Sequence, residues 1–137
     1  MTKILLLVVV LIAGATAFAL NVGGIKDQYR LQTWIWSHAQ EAAAARTNST
    51  VLSHWDAWGF LADDNDSYLV SDPANALSGA LEPVRRPTLS DRQAQVAEAW
   101  RKSHQLNCEV VWVKRLRSGF YLITTYDCLL HVPAPAQ

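Results

Sequence analysis

Ser53-His54-Trp55-Asp56 sets a hydroxyl, an imidazole and a carboxylate side by side, the three groups of a hydrolytic triad. A triad is defined by side chains that meet in space, so adjacency in the chain is weak support for it. No G-x-S-x-G or comparable nucleophile setting accompanies it. Ten residues on, Asp63-Asp64-Asn65-Asp66 supplies hard oxygen donors suited to calcium, with Asp63, Asn65 and Asp66 as the candidate ligands. An EF-hand loop counted from Asp63 needs glycine sixth and glutamate twelfth, where this chain has Tyr68 and Ala74. The composition therefore favours a solvated acidic turn. A hydrolase or metal-dependent enzyme ranks third among the functional readings, and no cofactor is implied.

Cys108 and Cys128 are the only cysteines. They admit a redox pair, a metal pair or a covalent clasp. There is no C-x-x-C, and a zinc site would need two further ligands, for which only His104 and His131 stand near in sequence. The clasp has the better support. The strand-forming run around Arg117-Ser118-Gly119 is rich in Val, Ile, Tyr, Phe and Thr, and a three-residue loop with glycine at a positive φ predicts an antiparallel hairpin. In that register Leu116 faces Phe120, Lys114 faces Leu122, Trp112 faces Thr124, Val110 faces Tyr126 and Cys108 faces Cys128. Directly opposed residues lie within the reach of a disulfide. A two-residue Ser118-Gly119 turn would set Cys108 against Leu129 instead.

A disulfide presumes an oxidising compartment, and the N-terminus agrees. Lys3 precedes an uncharged apolar run over residues 4–20, and the small residues Ala15-Thr16-Ala17 and Ala17-Phe18-Ala19 offer cleavage sites. Residues 1–19 therefore read as a signal peptide, cut after Ala17 or Ala19, or as an uncleaved membrane anchor extending to about residue 25. Residues 20–137 are expected to form one exported domain. Twelve basic residues balance twelve acidic ones, so no strong field draws the chain to nucleic acid. Locally, residues 47–83 carry only acidic charges and residues 85–117 mainly basic ones, which reads as two complementary or separately solvated lobes.

The positioning elements follow from pattern. Over residues 24–46 no proline interrupts, and Ile25, Tyr29, Leu31, Ile35, Trp36, Ala39, Ala42 and Ala43 share one arc of a helical wheel. Trp34 falls on the other side. Residues 47–88 read as loops around a helical turn or two over residues 51–61, which would bring Trp55 and Trp58 to one side, and a short edge strand at Tyr68-Leu69-Val70. Ser90 with Gln93 three residues later predicts a capping box for a second helix with the apolar stripe Leu89, Val96, Ala97 and Trp100, stopping near Asn107. Trp112, Phe120, Leu122 and Tyr126 of the hairpin are expected to face the helices.

The expected fold is a small α+β domain: a long N-terminal helix, a capped second helix and a disulfide-clasped C-terminal hairpin. The expected function is a non-enzymatic exported binding or accessory protein of the periplasm or cell envelope, contacting another protein or an envelope component through exposed aromatics, with Trp34, Trp55 and Trp58 as candidates. The alternative is a single-pass, membrane-anchored small subunit of an envelope complex.

Overall fold

The computed structural model describes residues 2–58, 65–83 and 91–132. The chain divides into two compact units, Met1–Ser37 and His38–Gln137.

The first unit is one helix, α1 (Thr2–Ser37). Its apolar residues over 6–12 are exposed, as are Ile25, Tyr29 and Trp36, whereas Leu31 and Trp34 are buried. The expected wheel is thus corrected. Helical phase does not run unbroken over residues 24–46, because His38 leaves helical geometry (φ −124°, ψ 49°) before the short α2 (Ala39–Ala44). No proline or glycine causes the break. The hydroxyls of Thr33 and Ser37 donate to carbonyls of the preceding turn, at 3.0 Å to Tyr29 O and 3.0 Å to Thr33 O, a bonding pattern that bends helices.

The membrane-anchor expectation is also corrected: among the described residues no helix is long and apolar enough to cross a membrane. The run over residues 4–20 falls short of the roughly 20 residues a span takes and leads into Asn21, Lys26 and Asp27.

The second unit is an antiparallel sheet in the order β1-β2-β5-β4-β3, from β1 (Thr50–Trp58), β2 (Asn65–Ser71), β3 (Glu82–Pro83), β4 (Val110–Arg117) and β5 (Phe120–Tyr126). A 3-10 turn (Ala76–Ala80) and α3 (Arg92–Ser103) complete it. The core gathers Val51, Tyr68, Val70, Val110, Val113, Tyr121 and Ile123 from the sheet with Leu77, Ala80, Ala94, Ala97 and Trp100 from the turn and α3. Small residues at 94 and 97 let α3 lie close, and Gly79 is equally tight: a Cβ there would come within 3.2 Å of Val96 Cγ2. On the opposite sheet face Leu69, Phe120 and Leu122 are buried too. β5 is therefore the centre of the fold. Glu82-Pro83 is an edge strand pairing only with Val113 and Trp112, a place where proline removes no needed donor.

Several sequence expectations change here. Residues 51–58 are strand, not helical turn, and β2 is an interior strand between β1 and β5 rather than an edge. The hairpin faces are exchanged: Val113, Tyr121 and Ile123 point into the α3 core, while Trp112 and Tyr126 are exposed. The cap of α3 is Asp91, whose Oδ1 accepts from Gln93 N (3.1 Å) and Ala94 N (3.3 Å); Ser90 lies outside the described residues. Gln93 does not reach back to the cap but donates to Leu81 O at 2.9 Å. The helix ends at Ser103, earlier than Asn107, where His104 stacks on Trp100 with ring centroids 4.0 Å apart.

The hairpin register stands in its middle. Trp112 faces Thr124 and Lys114 faces Leu122. At the turn Arg117, not Leu116, faces Phe120, and a bulge between Arg115 and Arg117 restores the expected pairing. The connection is therefore the two-residue turn Ser118-Gly119 rather than the expected three-residue loop, and Gly119 takes its positive φ of 79° there. A second bulge sets Val110 against Thr125, and the chain past β5 turns at Asp127 (φ 45°) to bring Cys128 to Cys108, bonded with Cα atoms 5.6 Å apart.

Candidate functional site

The structure separates the three candidate tryptophans. Trp34 is on α1 and buried; Trp55 is at a bulge of β1 and 4% exposed. Neither has the exposure that the expected aromatic contact needs. Trp58 ends β1, where its backbone pairs with Asn65.

Register builds an alternative surface. Asp56, Ser67, Thr124 and Trp112 form one row across β1, β2, β5 and β4, and Trp58, Asn65 and Tyr126 form the next. Side chains alternate along a strand, so Ser67, Thr124, Trp112, Asn65 and Tyr126 project from the face away from Tyr68, Val113 and Ile123, which enter the α3 core. Ser67 and Thr124 are buried and joined hydroxyl to hydroxyl at 2.8 Å. Beyond them Trp112 is 44% exposed and Tyr126 56%. Large aromatics on a sheet face are a recognised source of contact energy. Sequence reasoning turned Trp112 and Tyr126 inward, yet Lys114, two residues from Trp112 and so on its face, was a sign that this side meets solvent.

The second arrangement lies on the core face, at the end of the sheet. His54 pairs with Tyr68 across β1 and β2, and its ring meets the Tyr68 ring edge-on at 5.2 Å. His54 Nε2 lies 2.7 Å from Asp66 Oδ1, with the imidazole half exposed and Asp66 buried. Burial pushes the Tyr68 phenol above its usual value, opposed by Leu130 N, which donates to the phenol oxygen at 2.9 Å, while the Asp66 charge adds a lesser upward push. That bond fastens the chain after β5 across Tyr68. Two other fasteners act beside it: Thr125 Oγ1 donates to Cys128 O at 2.8 Å, and the disulfide. Between this strap and β1 opens a groove of about 570 Å³, lined by His54, Ala57, Asp66, Asp127, Cys128 and Leu129.

His54 is thus paired with Asp66, not with Asp56. Asp56 Oδ1 accepts from Ala57 N at 3.1 Å, and Ser53 Oγ donates to His54 O at 3.0 Å. Neither serves the imidazole, so Ser53-His54-Asp56 is not assembled as a triad. The partner Asp66 escaped sequence reasoning because its proximity depends on β1, a strand the pattern hid.

The calcium candidates are not assembled either. Asp63 lies outside the described residues. Asn65 and Asp66 are consecutive in β2 and project to opposite faces, so one ion cannot take both side chains. Among the described residues no three His, Cys, Asp or Glu side chains are grouped to hold a metal. His104, considered with His131 for zinc, instead bridges α3 to the start of β1, its Nε2 lying 2.7 Å from Ser49 Oγ.

No protein-family model, curated protein or solved structure matches this chain.

Proposed function

We propose that this chain is a non-enzymatic exported binding or accessory protein of the cell envelope. Its contact surface is the pair of aromatic rows on the sheet face away from α3. The observation that carries the reading is the exposure of Trp112 and Tyr126 on neighbouring rows, with the backbone of Trp58 in register beside them. Tryptophan and tyrosine are the residue types most enriched where binding energy concentrates. The partner is another protein or an envelope component, reached in the periplasm or outside the cell. Export is supported by the Lys3-led apolar segment with its small-residue cleavage sites and by the Cys108–Cys128 bond.

The leader has its own test. Intact-mass analysis of chain exported from a bacterial host is expected to find a start at Phe18 or Leu20, and an exported chain beginning at Met1 would remove the signal-peptide reading. For the surface, sedimentation with bacterial envelope fractions is expected to show saturable binding by the wild-type chain. The double variant Trp112→Ala/Tyr126→Ala should weaken it at least about tenfold, as loss of aromatic anchors does, with an unchanged melting temperature. Equal binding by both proteins would refute the surface.

A further inference from the structure

The groove beneath the strap is not used by the aromatic rows, which lie on the other face of the sheet. We infer that it binds an alkylammonium group, its cationic head held by Asp66 and Asp127 and its stem lying along Ala57 and Leu129.

Asp66 carries the argument. Only 3% of it is exposed, and a carboxylate removed from water that far requires partners for its oxygens. Oδ1 has one in His54 Nε2. Oδ2 has no hydrogen-bond partner among the described residues, yet it is not sealed in: among those residues the fully enclosed side-chain polar atom without a partner is Trp100 Nε1. Asp66 forms part of the groove wall, the side on which we place its unused oxygen.

The other side chains decide the ligand. Asp127 adds a second carboxylate. A neutral imidazole that donates from Nε2 to Asp66 leaves Nδ1 as an acceptor, and Nδ1 has no partner among the described residues. Among the described residues no lysine or arginine lines the groove. Its free side-chain groups are therefore acceptors, which suits a ligand bringing positive charge and several donors. An ammonium brings three donors and no acceptor. Leu129 is largely exposed and, with Ala57, gives an alkyl stem an apolar wall. The groove's volume is in the ordinary range for small-molecule sites, roughly 300–1,000 Å³. The strap is held by the disulfide and by the Leu130–Tyr68 and Thr125–Cys128 bonds, so the site exists before a ligand arrives.

A free amine and the lysine side chain of another protein share this chemistry. The test titrates the oxidised chain with 1,5-diaminopentane, with an N-acetyl-lysine amide and with 1,5-pentanediol, following the His54 ring signals by NMR. Both amines are expected to shift His54 saturably, with a dissociation constant of about 1 mM or tighter, and the diol is not. Tighter binding of the lysine amide points to a protein-borne lysine, and of the diamine to a free amine. Asp66→Asn should weaken the amines at least about tenfold. Asp127→Asn, which keeps a residue type tolerant of positive φ, should weaken them severalfold and decides the matter if the Asp66 variant does not fold. The inference is overturned if the diol matches the amines, if neither amine shifts His54, or if folded carboxylate variants bind amines as the wild type does. None of these results bears on the envelope binding of the aromatic rows.

Discussion

Replacing Ile123 by alanine is expected to lower the unfolding free energy of the second unit by about 4 kcal/mol, near the upper part of the range for large-to-small core changes. Ile123 has no exposed surface and sits on the central strand, paired on one side with Tyr68 and on the other with Val113, both also in the core. Truncation there leaves a void walled by residues of three strands, which are held in register by their own hydrogen bonds and collapse poorly into it. The loss is large against the 5–15 kcal/mol, roughly, by which domains are stable. Urea denaturation measures it. Leu129→Ala, at an exposed site, serves as the control and should stay within about 0.5 kcal/mol of wild type. A loss below about 1 kcal/mol for the Ile123 variant would mean that the α3 face is not the core.

Opening the disulfide should cost about 3 kcal/mol in the chain-entropy model for a loop of this length. The Cys108→Ser/Cys128→Ser variant is the measurement, and mass spectrometry of unreduced wild-type protein should find both thiols protected. The effect extends past stability. Cys128 anchors the strap that passes Tyr68, so the double serine variant should also broaden the His54 signals as the groove wall loosens. Two freely alkylating thiols in the wild type, or a variant as stable as the parent, would contradict the clasp.

The contrast between hairpin and β1 shows what was legible in the chain. At the hairpin three local signals agree: β-branched and aromatic residues, a glycine suited to positive φ, and a pair of cysteines flanking the two strands. Their agreement survives two bulges, because the bulge at Leu116 undoes the shift that the turn introduces. In β1 the bulges between Val51 and Ser53 and between His54 and Asp56 break the alternation by which a strand is recognised. With β1 hidden, Trp55 and Trp58 looked like helix neighbours and Asp66 looked remote from His54. Helix α3 was legible as an element, but its cap is Asp91, one residue past the expected Ser90, with Asp91 Oδ1 taking the Gln93 and Ala94 N–H groups. At the N-terminus the wheel failed for a different reason: it presumed one helix where back-bonding by Thr33 and Ser37 precedes a break at His38.

The buried polar contacts were the least legible. Asn75 adopts φ 53°, and its Oδ1 accepts from Gly119 N at 3.0 Å and from the Tyr121 hydroxyl at 2.8 Å. Nearby, Asp72 Oδ2 accepts from Leu77 N at 2.8 Å. These bonds pin the β4–β5 turn to the segment after β2, across 44 and 46 positions of sequence for the two Asn75 bonds. Local patterns carry no trace of contacts over such separations. The segment's composition read as loop, and loop it largely is, but it is a loop held by the side-chain acceptors of Asp72 and Asn75.

We propose that Trp112 and Tyr126 form the contact surface of an exported binding protein. Hydroxyl-radical footprinting of the purified chain, alone and with bacterial envelope fractions, tests this most directly. Trp112 and Tyr126 should be labelled in the free chain and protected in the bound one, while enclosed Trp55 stays unlabelled throughout. Unchanged labelling of Trp112 and Tyr126 in a sample where the chain demonstrably sediments with the envelope would contradict the claim.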